Sequence, residues 1–444
     1  MQTQFSPDQL ADSQTAASER IIRKCVHCGF CATSCPTFTL LGDELDSPRG
    51  RIYLIKDMLE NARRPGREVV KHIDRCLSCL SCATTCPSDV HYGHLVDHAR
   101  AYIEQHHRRP LADRLIRWLL AKVLPHPGRF RLALRAAALG RPFATRFSRS
   151  AALRPLAAML RLAPHTVPAA AVRPAPVPVP VPERKGRVAL LQGCAEPVLR
   201  PEIRAATIRL LERAGHEVVF ARGEGCCGSL ALHMGRTRDA LAAARRNVDA
   251  WTREIEQEGL DAIIVTVSGC GSTLKDYAHL LRDDPAYAAK AARVAALALD
   301  LSEYLARIDL SFMGMARPVR VAWHPPCSLQ HGQKVTEAPV RLMRAAGFDV
   351  RLPAEAHLCC GSAGTYNILQ SAIAERLGQR KAAALGASEA ELIVTANIGC
   401  ATQIALYSQL PMVHLAELLD WATGGPAPAM LNRVAGHVHL ETYQ

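Results

Sequence analysis

Two runs of four cysteines, each followed by a proline, restrict what this chain can fold into more than any other feature. Both runs read C-x2-C-x2-C-x3-C-P. The first occupies residues 25–36 and the second residues 76–87, so every cysteine is repeated at the same offset of 51 residues. The constant offset identifies a duplicated unit. Three thiols separated by two residues each can surround one metal centre from a single tight loop.

The duplicated spacing is typical of a pair of cubane [4Fe–4S] clusters. In such pairs the fourth cysteine, which stands before the proline, ligates the other cluster. Disulfides are typical of secreted chains, and zinc ribbons use two separated C-x2-C pairs, so both alternatives fit less well. The rule predicts that cluster 1 is held by Cys25, Cys28, Cys31 and Cys86, and cluster 2 by Cys76, Cys79, Cys82 and Cys35.

Length and hydropathy set broad limits on the protein. A chain of 444 residues is too long for one ordinary domain. Its first twenty residues lack the apolar run of a signal peptide, and no stretch of 18 uncharged apolar residues predicts a membrane-spanning helix. Sixteen cysteines in such a chain favour metal or redox chemistry over a disulfide framework. We therefore expect a cytoplasmic protein.

The net charge of +13 is concentrated in one segment. Residues 100–165 contain 14 lysines and arginines but only two acidic residues, Glu104 and Asp113, so the remainder of the chain is almost neutral. This distribution does not predict a nucleic-acid partner. Residues 111–163 are interpreted as basic amphipathic helices with an apolar stripe that begins at Leu111. Such helices suit contact with the inner face of the cell membrane, docking on a partner subunit, or packing on the chain itself.

The remaining N-terminal sequence predicts a separate helical domain. The two cysteine runs are separated by helical patterns rather than by short hairpins, which predicts an α-helical ferredoxin module over residues 1–110. Ser6 is a helix-start signal with a proline behind it, and we expect that helix to run to about Lys24. Residues 164–185 are rich in proline and predict an extended tether between two separately folding modules.

A second duplication occupies the C-terminal part of the chain. Strand patterns alternate with helical patterns, which predicts two duplicated α/β cysteine-rich domains with mainly parallel sheets, at residues 186–312 and 317–424. Each domain supplies one cysteine, a Cys-Cys pair before a glycine, and one more cysteine, at offsets of 133, 133, 133 and 130 residues. The cysteines are Cys194, Cys226, Cys227 and Cys270 in the first domain, and Cys327, Cys359, Cys360 and Cys400 in the second.

Four thiols per domain suit a further iron–sulfur centre, a zinc ion or a thiol–disulfide relay. They fall near the carboxyl ends of strands, where parallel sheets bind ligands. His324 and His357 stand close to the second set and are candidate ligands or tuning residues, although a structural role is the simpler interpretation. His27, His91 and His94 are in the same position beside the N-terminal cysteine loops.

Motifs for organic cofactors are missing from the sequence. No G-x-G-x-x-G follows a strand, and there is no Walker A sequence, so no dinucleotide or nucleotide site is predicted on this chain. Neither a catalytic triad nor a pair of catalytic carboxylates is recognisable. The sequence predicts an electron carrier without catalytic residues of its own.

Several stretches carry a specific resemblance. The chain resembles the family of glycolate oxidase iron–sulfur subunits over most of its length, and the similarity thins between about residues 105 and 185. Its Cys-Cys-Gly (CCG) motifs are shared with heterodisulfide reductase and with the iron–sulfur subunits of glycerol-3-phosphate and lactate dehydrogenases. The matching stretches are CVHCGFCATSCPTF (25–38), LGDELDSPRGRIYLIK (41–56), DRCLSCLSCATTCPS (74–88), GCCGSLALH (225–233), SGCGSTLKDY (268–277), LCCGSAGTYNI (358–368) and VTANIGC (394–400).

The resemblance implies a multi-subunit oxidoreductase that converts glycolate to glyoxylate. Flavin-containing partner subunits would hold FAD and the substrate, and this chain would use two [4Fe–4S] clusters, with a further centre in the CCG domains, to pass electrons towards quinone or another acceptor. The alternatives are a partner that oxidises glycerol 3-phosphate or lactate, and a thiol–disulfide enzyme. The heterodisulfide-reductase motif ends in C-x2-C, whereas Thr273 and Gln403 stand at the final positions here. This departure weighs against disulfide reduction and against a special non-cubane cluster.

Overall fold

Short helices surround the two cysteine loops in the N-terminal part of the computed structural model, which describes residues 1–150, 152–169, 184–312 and 319–432. Asp12 accepts a hydrogen bond from the backbone N–H of Thr15 at 2.7 Å and so caps a helix of its own. The single helix predicted up to Lys24 is therefore wrong, because two helices form there. The helices are α1 (Pro7–Leu10), α2 (Ser13–Lys24), α3 (Phe30–Thr33), α4 (Pro36–Leu41), α5 (Pro48–Glu60), α6 (Arg67–Asp74), α7 (Ser81–Thr84) and α8 (Tyr92–His106), with a 3-10 turn at Glu44–Asp46.

Both cysteine loops follow the same backbone path. His27 and Gly29 in the first loop, and Ser78 and Leu80 at the repeated positions in the second, all have positive φ angles between 50° and 89°. This left-handed conformation is uncommon outside glycine and turns the chain tightly. Gly29 also needs its missing side chain, because a Cβ atom there would lie 2.5 Å from Nη1 of Arg49.

The basic segment (residues 111–163) folds into helices that pack on the rest of the chain. Its helices are α9 (Leu111–Val123), α10 (Pro127–Gly140), α11 (Ala144–Ser148) and α12 (Arg154–Leu162), with a 3-10 turn at Arg141–Phe143. Asp74 of the ferredoxin module anchors them: Arg117 donates to its Oδ2 at 3.0 Å, and Arg109 donates to its two oxygens at 2.6 and 3.0 Å. Leu120 is buried on the inward side. Packing on the chain itself is therefore one role of this segment.

The same helices expose large apolar side chains on their outward side. Leu111 is 77% exposed, Leu115 is 63% exposed and Trp118 is 51% exposed. The apolar stripe predicted from Leu111 onward is thus divided between an inward and an outward face. Most of the proline-rich tether, residues 170–183, lies outside the described residues.

Two four-stranded parallel sheets form the C-terminal part, in the orders β2-β1-β3-β4 and β6-β5-β7-β8. The identical order confirms two duplicated α/β units with parallel sheets. The two edge strands β4 and β8 have three residues each, and no sequence pattern predicted them. The strands are β1 (Gly186–Leu190), β2 (His216–Val219), β3 (Ala262–Val265), β4 (Ala298–Asp300), β5 (Arg320–His324), β6 (Asp349–Arg351), β7 (Leu392–Thr395) and β8 (Met412–His414).

Helices cover both sheets and join the two domains. Helix α14 of the first domain packs on α25 of the second, and α20 of the first packs on α21 of the second, so corresponding helices exchange contacts as in a two-fold dimer. The helices are α13 (Glu196–Leu199), α14 (Pro201–Arg213), α15 (Ser229–His233), α16 (Thr237–Gln257), α17 (Ser268–Lys275), α18 (Tyr277–Leu280), α19 (Ala288–Leu297), α20 (Leu301–Leu305), α21 (Glu337–Ala345), α22 (Tyr366–Leu369), α23 (Ser371–Gly386), α24 (Ile398–Ile404), α25 (Leu415–Ala422) and α26 (Ala429–Asn432), with a π-helical turn at Ser328–Gly332.

One hydrophobic core runs through the interface between the two cysteine-rich domains. It contains Val188 and Leu190 of β1 together with Val321 and Trp323 of β5, all nearly inaccessible to solvent. Glu417, itself buried, accepts a hydrogen bond from Nη2 of Arg200 across the interface at 2.7 Å. The two domains therefore pack as one unit.

The ferredoxin module contacts both cysteine-rich domains directly. His94 of α8 lies 2.9 Å from the Asp276 carboxylate of the first domain. Tyr366 of the second domain donates from its hydroxyl to the backbone oxygen of Arg75 at 3.0 Å. The two modules predicted on either side of the tether are thus in contact with each other as well as linked through the chain.

Candidate redox centres

The first cysteine loop encloses a small cavity at the protein surface. The cavity measures about 30 Å3, and Cys28 beside it is exposed to solvent. Burial, followed by the charges of neighbouring cysteines, outweighs a backbone hydrogen bond and raises the pKa of Cys31 to about 11, so its thiolate needs a nearby cation such as a metal. The thiols lining the cavity are those of Cys25, Cys28, Cys31, Cys82 and Cys86. These include the four residues assigned to cluster 1, and that assignment stays a prediction.

The second cysteine loop lies deeper in the protein. Burial raises the pKa of Cys82 well above its usual value, and the next causes are the charges of Cys79, Cys76 and Cys35, so these four thiols are neighbours. Cys76 accepts a hydrogen bond at its Sγ from the backbone N–H of Ser78 at 3.4 Å. The four residues assigned to cluster 2 therefore lie close together, although three come from one loop and Cys35 comes from the other.

A buried arginine stands beside the second loop, and the sequence analysis missed it. Arg51 is 1% exposed, and its Nη1 lies 3.9 Å from the Sγ of Cys35. It donates from Nε to the backbone oxygen of His72 at 2.7 Å and pairs with Asp46 at 3.2 Å. A buried cation is retained only where it is paired, and thiolates with a metal cluster would add negative charge next to it. Its place in helix α5, one turn after a proline, carried no signal of that role.

The four cysteines of the first cysteine-rich domain form a continuous line of contacts. Cys226 is in hydrogen-bonding contact with Cys194 and with Cys227, and Cys227 is in contact with Cys270. The hydrogen bonds from Cys194 and Cys227 are the main causes that lower the pKa of Cys226 to about 3. The neutral Asn247 donates to the backbone oxygen of Cys226 at 3.2 Å. The predicted grouping of these residues is thus geometrically feasible and stays a prediction.

The second cysteine-rich domain repeats this line and adds a histidine. Cys359 is in hydrogen-bonding contact with Cys327 and with Cys360, and Cys360 is in contact with Cys400. His324 is completely buried, and one of its ring nitrogens lies within 4.8 Å of the Sγ atoms of Cys360 and Cys400. His357, the other candidate, is exposed and lies apart from this group.

The histidines beside the N-terminal loops do not point at the thiols. His27 is exposed and lies 3.3 Å from the backbone oxygen of Arg49. His91 pairs with Asp89 at the surface, and His94 contacts the first cysteine-rich domain. A role in hydrogen bonding to cluster sulfur is not supported for any of the three.

A cavity of about 680 Å3 connects the deeper thiol sites. Cys76 and Cys79 of the second loop reach it, as do all eight cysteines of the cysteine-rich domains. Cys79 packs in one apolar cluster with Cys327 and Cys359, so the second loop is adjacent to the second domain. The other wall is apolar and comes mainly from the basic segment: Leu119, Leu120, Val123, Leu124, Phe130, Leu134, Phe147, Leu156, Met159 and Leu160.

The thiol sites fit iron–sulfur chemistry. Thiolates are the ligands that select Fe–S clusters and zinc among the first-row metals. The repeated loops, the grouped thiols and the buried Arg51 give the two N-terminal sites the charge and geometry that two clusters need. When bound, such clusters accept and release single electrons.

Comparison with known families agrees with this architecture. A family model described as a 4Fe-4S dicluster domain matches residues 21–90. A model described as a cysteine-rich domain, CCG, matches residues 188–275 and again residues 321–405. The fold and the thiol sites together define an iron–sulfur protein with one dicluster domain and two CCG domains.

Relatives of similar length narrow the family further. The chain is 41% identical to the glycolate oxidase iron–sulfur subunit of Escherichia coli, over 95% of this chain and 99% of that protein. It is 34% identical to the probable glycolate oxidase iron–sulfur subunit of Bacillus subtilis, over 90% of this chain and 94% of that protein. The chain belongs to the family of glycolate oxidase iron–sulfur subunits, which confirms the resemblance inferred from its motifs.

Two more distant proteins share parts of the arrangement. Lactate utilization protein A of Bacillus licheniformis is 29% identical over 53% of this chain and 99% of its own length. The crystal structure of a hypothetical protein from Helicobacter pylori superposes with a TM-score of 0.54 at 10% identity, covering 95% of this chain and 74% of that one. This second likeness concerns the fold alone. Among the described residues, no helix is both long and apolar enough to cross a membrane.

Proposed function

We propose that this chain is the electron-transfer subunit of a complex that oxidises glycolate to glyoxylate. Its relatives of matching length are named as subunits of glycolate oxidase, and its thiol sites suit single-electron carriers. Oxidation of glycolate releases two electrons and two protons, which a flavin accepts as a pair and passes on singly. The flavin, FAD, and the glycolate site belong in this proposal to partner subunits, and this chain carries no catalytic residue.

The proposal assigns the eight N-terminal cysteines to two [4Fe–4S] clusters in the crossed pattern of the sequence rule. The main support is the neighbourhood of Cys35 to the thiols of the second loop, since Cys35 lies 41 residues before the first of them. The surrounding residues would exclude water and hold charge: Arg51 stands beside Cys35, and the hydroxyl of Tyr92 lies 3.7 Å from the Sγ of Cys76.

The depth of the two sites suggests a direction for electrons. The first loop is at the surface, and apolar side chains stand out beside it: Val26 is 68% exposed and Phe30 is 60% exposed. We take this face as the docking site of the flavin-containing partner, because electrons must enter where the carrier is accessible. The second loop is buried against Cys327 and Cys359, so the second cysteine-rich domain is next in the path.

Quinone is the acceptor that suits the far end of this path. The large cavity has an apolar wall at the basic segment and thiols at its floor, which fits an apolar redox carrier. Outside that wall, exposed Leu111, Leu115 and Trp118 stand among arginines, as in proteins that rest on an anionic bilayer. The chain would then act as a peripheral protein on the inner face of the cell membrane.

Co-expression with the flavin-containing subunits tests the proposal. We expect the complex, purified without oxygen, to bleach its iron–sulfur absorbance when glycolate is added, and this chain alone to contain iron and sulfide but no flavin. Lactate and glycerol 3-phosphate serve as competing substrates. Faster bleaching by lactate would transfer the assignment to a lactate dehydrogenase complex. A colourless chain that contains zinc but no sulfide would overturn electron transfer altogether.

A further inference from the structure

The two cysteine-rich domains differ at two positions beside their thiols. His324 stands three residues before Cys327, and Leu191 stands three residues before Cys194 at the corresponding place. Both follow the first strand of their sheet towards its carboxyl end, and both are buried. The duplication therefore placed an imidazole in the second domain where the first has an aliphatic side chain.

The second difference lies on the helix that covers the Cys-Cys-Gly turn. A Cβ atom on Gly228 would meet the backbone oxygen of Ala240 at 3.0 Å, and one on Gly361 would meet that of Ala374 at 2.6 Å, so these two alanines correspond. Seven residues further along each helix, the first domain has Asn247 and the second has Lys381. A neutral amide in one domain is thus replaced by a cation in the other.

The imidazole of His324 lacks partners within the protein. It is 0% exposed, and neither Nδ1 nor Nε2 has a hydrogen-bond partner among the described residues. Leaving a buried polar group unpaired costs about 1–3 kcal/mol, so native structures usually satisfy such groups. One ring nitrogen lies within 4.8 Å of the Sγ atoms of Cys360 and Cys400, which are themselves within that distance of each other. The ring is therefore directed at a group of metal-binding atoms.

The spacing of these three atoms suits one ion. In tetrahedral sites, metal–sulfur bonds of about 2.3 Å and metal–nitrogen bonds of about 2.0 Å put the ligand atoms roughly 3.5–4 Å apart. Donor atoms within 4.8 Å of one another need only a small contraction to reach that geometry. Imidazole and thiolate together are ligands of zinc and of ferrous iron.

We propose that His324, Cys360 and Cys400 bind a single divalent ion of zinc or iron, with a third thiolate from Cys327 or Cys359 as the fourth ligand. Those two cysteines are in contact with each other, and Cys359 is in contact with Cys360. The first cysteine-rich domain, which has Leu191 in place of the imidazole, does not hold this centre. The inference goes beyond the proposed electron path and holds whatever substrate the partner subunits oxidise.

Lys381 supplies the charge that such a centre needs. Its side chain is 3% exposed, and its Nζ donates to the backbone oxygen of Glu355 at 2.7 Å. The residues that the structure describes give this ammonium no carboxylate partner, whereas all four thiols of the second domain act on it electrostatically. A divalent ion with three thiolates and a neutral imidazole carries one negative charge, which one lysine balances. This balance supports a third thiolate as the fourth ligand.

Metal analysis and X-ray absorption on the anaerobically purified full-length chain test the proposal. Two [4Fe–4S] clusters account for about eight iron and eight sulfide per chain. We expect one further zinc, or one iron without matching sulfide, and for zinc an absorption spectrum with one nitrogen and three sulfur ligands. The His324→Leu variant, which copies the first domain, should lose that ion and keep the eight iron and eight sulfide. The matched control His357→Leu removes an exposed histidine near the same thiols and should keep the ion.

Three results would overturn the proposal. These are no ion beyond the two clusters, an ion that His324→Leu retains with an unchanged spectrum, or extra iron accompanied by equal sulfide, which would indicate a third cluster. If circular dichroism shows that His324→Leu does not fold, the nearly isosteric Cys400→Ser variant and the wild-type spectrum decide in its place. Glycolate is absent from every measurement, so failure here is distinguishable from failure of the proposed function.

Discussion

The two cysteine-rich domains share a scaffold and differ in what surrounds their thiols. Both have four parallel strands in the same order, and both place four cysteines in a line of contacts. The first domain surrounds its thiols with neutral groups such as Leu191 and Asn247. The second places His324 and Lys381 at those positions. Duplication therefore preserved the backbone that presents sulfur, while single substitutions beside it made the two sites chemically distinct.

The ferredoxin module treats the two domains differently as well. Cys79 of its second loop packs with Cys327 and Cys359 of the second domain. Its contacts with the first domain are polar and lie on helix α8, where His94 meets Asp276. The second domain is thus the neighbour of the buried cluster site, and the first domain serves mainly as a support.

Removal of the distal ligand of cluster 2 should have the largest effect on this asymmetry. Cys35→Ser should eliminate cluster 2, which adjoins the second domain, and lower glycolate-dependent acceptor reduction by about 100-fold or more. Paramagnetic resonance on the reduced complex should then show the cluster 1 signal alone. The matched variant Cys86→Ser should remove cluster 1 and spare cluster 2. Loss of the cluster 1 signal in Cys35→Ser would contradict the crossed assignment.

Exchange of the buried lysine tests the charge difference between the domains. Lys381→Met removes the cation from beside the thiols, and we expect a loss of about 3 kcal/mol in stability of the metal-loaded chain, because a buried charge loses its partner. Thermal unfolding followed by circular dichroism measures it. Asn247→Leu at the corresponding position removes only neutral hydrogen bonds and should cost about 1–2 kcal/mol. Equal losses would mean that the two thiol sites carry the same charge.

A glycine substitution tests the support role of the first domain. Gly235 has a φ of 79°, and a Cβ atom there would overlap the backbone oxygen of Arg100 in the ferredoxin module. We expect Gly235→Ala to lower stability by about 2 kcal/mol and to loosen this contact, measured as faster amide exchange in α8. Gly259 has the same φ and open space around it, so Gly259→Ala isolates the backbone strain. An equal effect of both variants would show that the interface does not resist the added methyl group.

The pH dependence of the same contact is the smallest expected effect. Burial lowers the pKa of His94, but its hydrogen bond to Asp276 and the charge of that carboxylate outweigh burial, so the pKa lies above the usual 6.5. A histidine whose pKa is raised on folding stabilises the fold fully below pH 6.5, and this contribution disappears as the pH rises through the folded-state pKa. We expect a loss of about 1 kcal/mol across that range for a charged hydrogen bond. Asp276→Asn should remove the dependence in unfolding curves, and an unchanged pH profile would contradict this role.

Local patterns accounted for much of the scaffold. The repeated C-x2-C-x2-C-x3-C-P runs predicted loops of equal backbone path, which the matching φ angles of Gly29 and Leu80 confirm. Alternating strand and helix patterns predicted two parallel α/β units. The three-residue edge strands were missed because so short a strand has no periodicity to recognise. The helix predicted from Ser6 to Lys24 failed because Asp12 starts a second helix within it.

The sequence by itself determined the elements that depend on neighbouring residues: the thiol spacing, the alternation of strands and helices, and the duplication that relates them. Tertiary structure alone decided which distant groups meet. Arg51 beside Cys35, Lys381 among the thiols of the second domain and the adjacency of Cys79 to Cys327 all join residues far apart in the chain. Spacing reflects backbone geometry over a few residues, whereas the pairing of buried charges is set by how whole domains pack against each other. For that reason His324 was one histidine among five in the sequence and became a candidate metal ligand only in the fold.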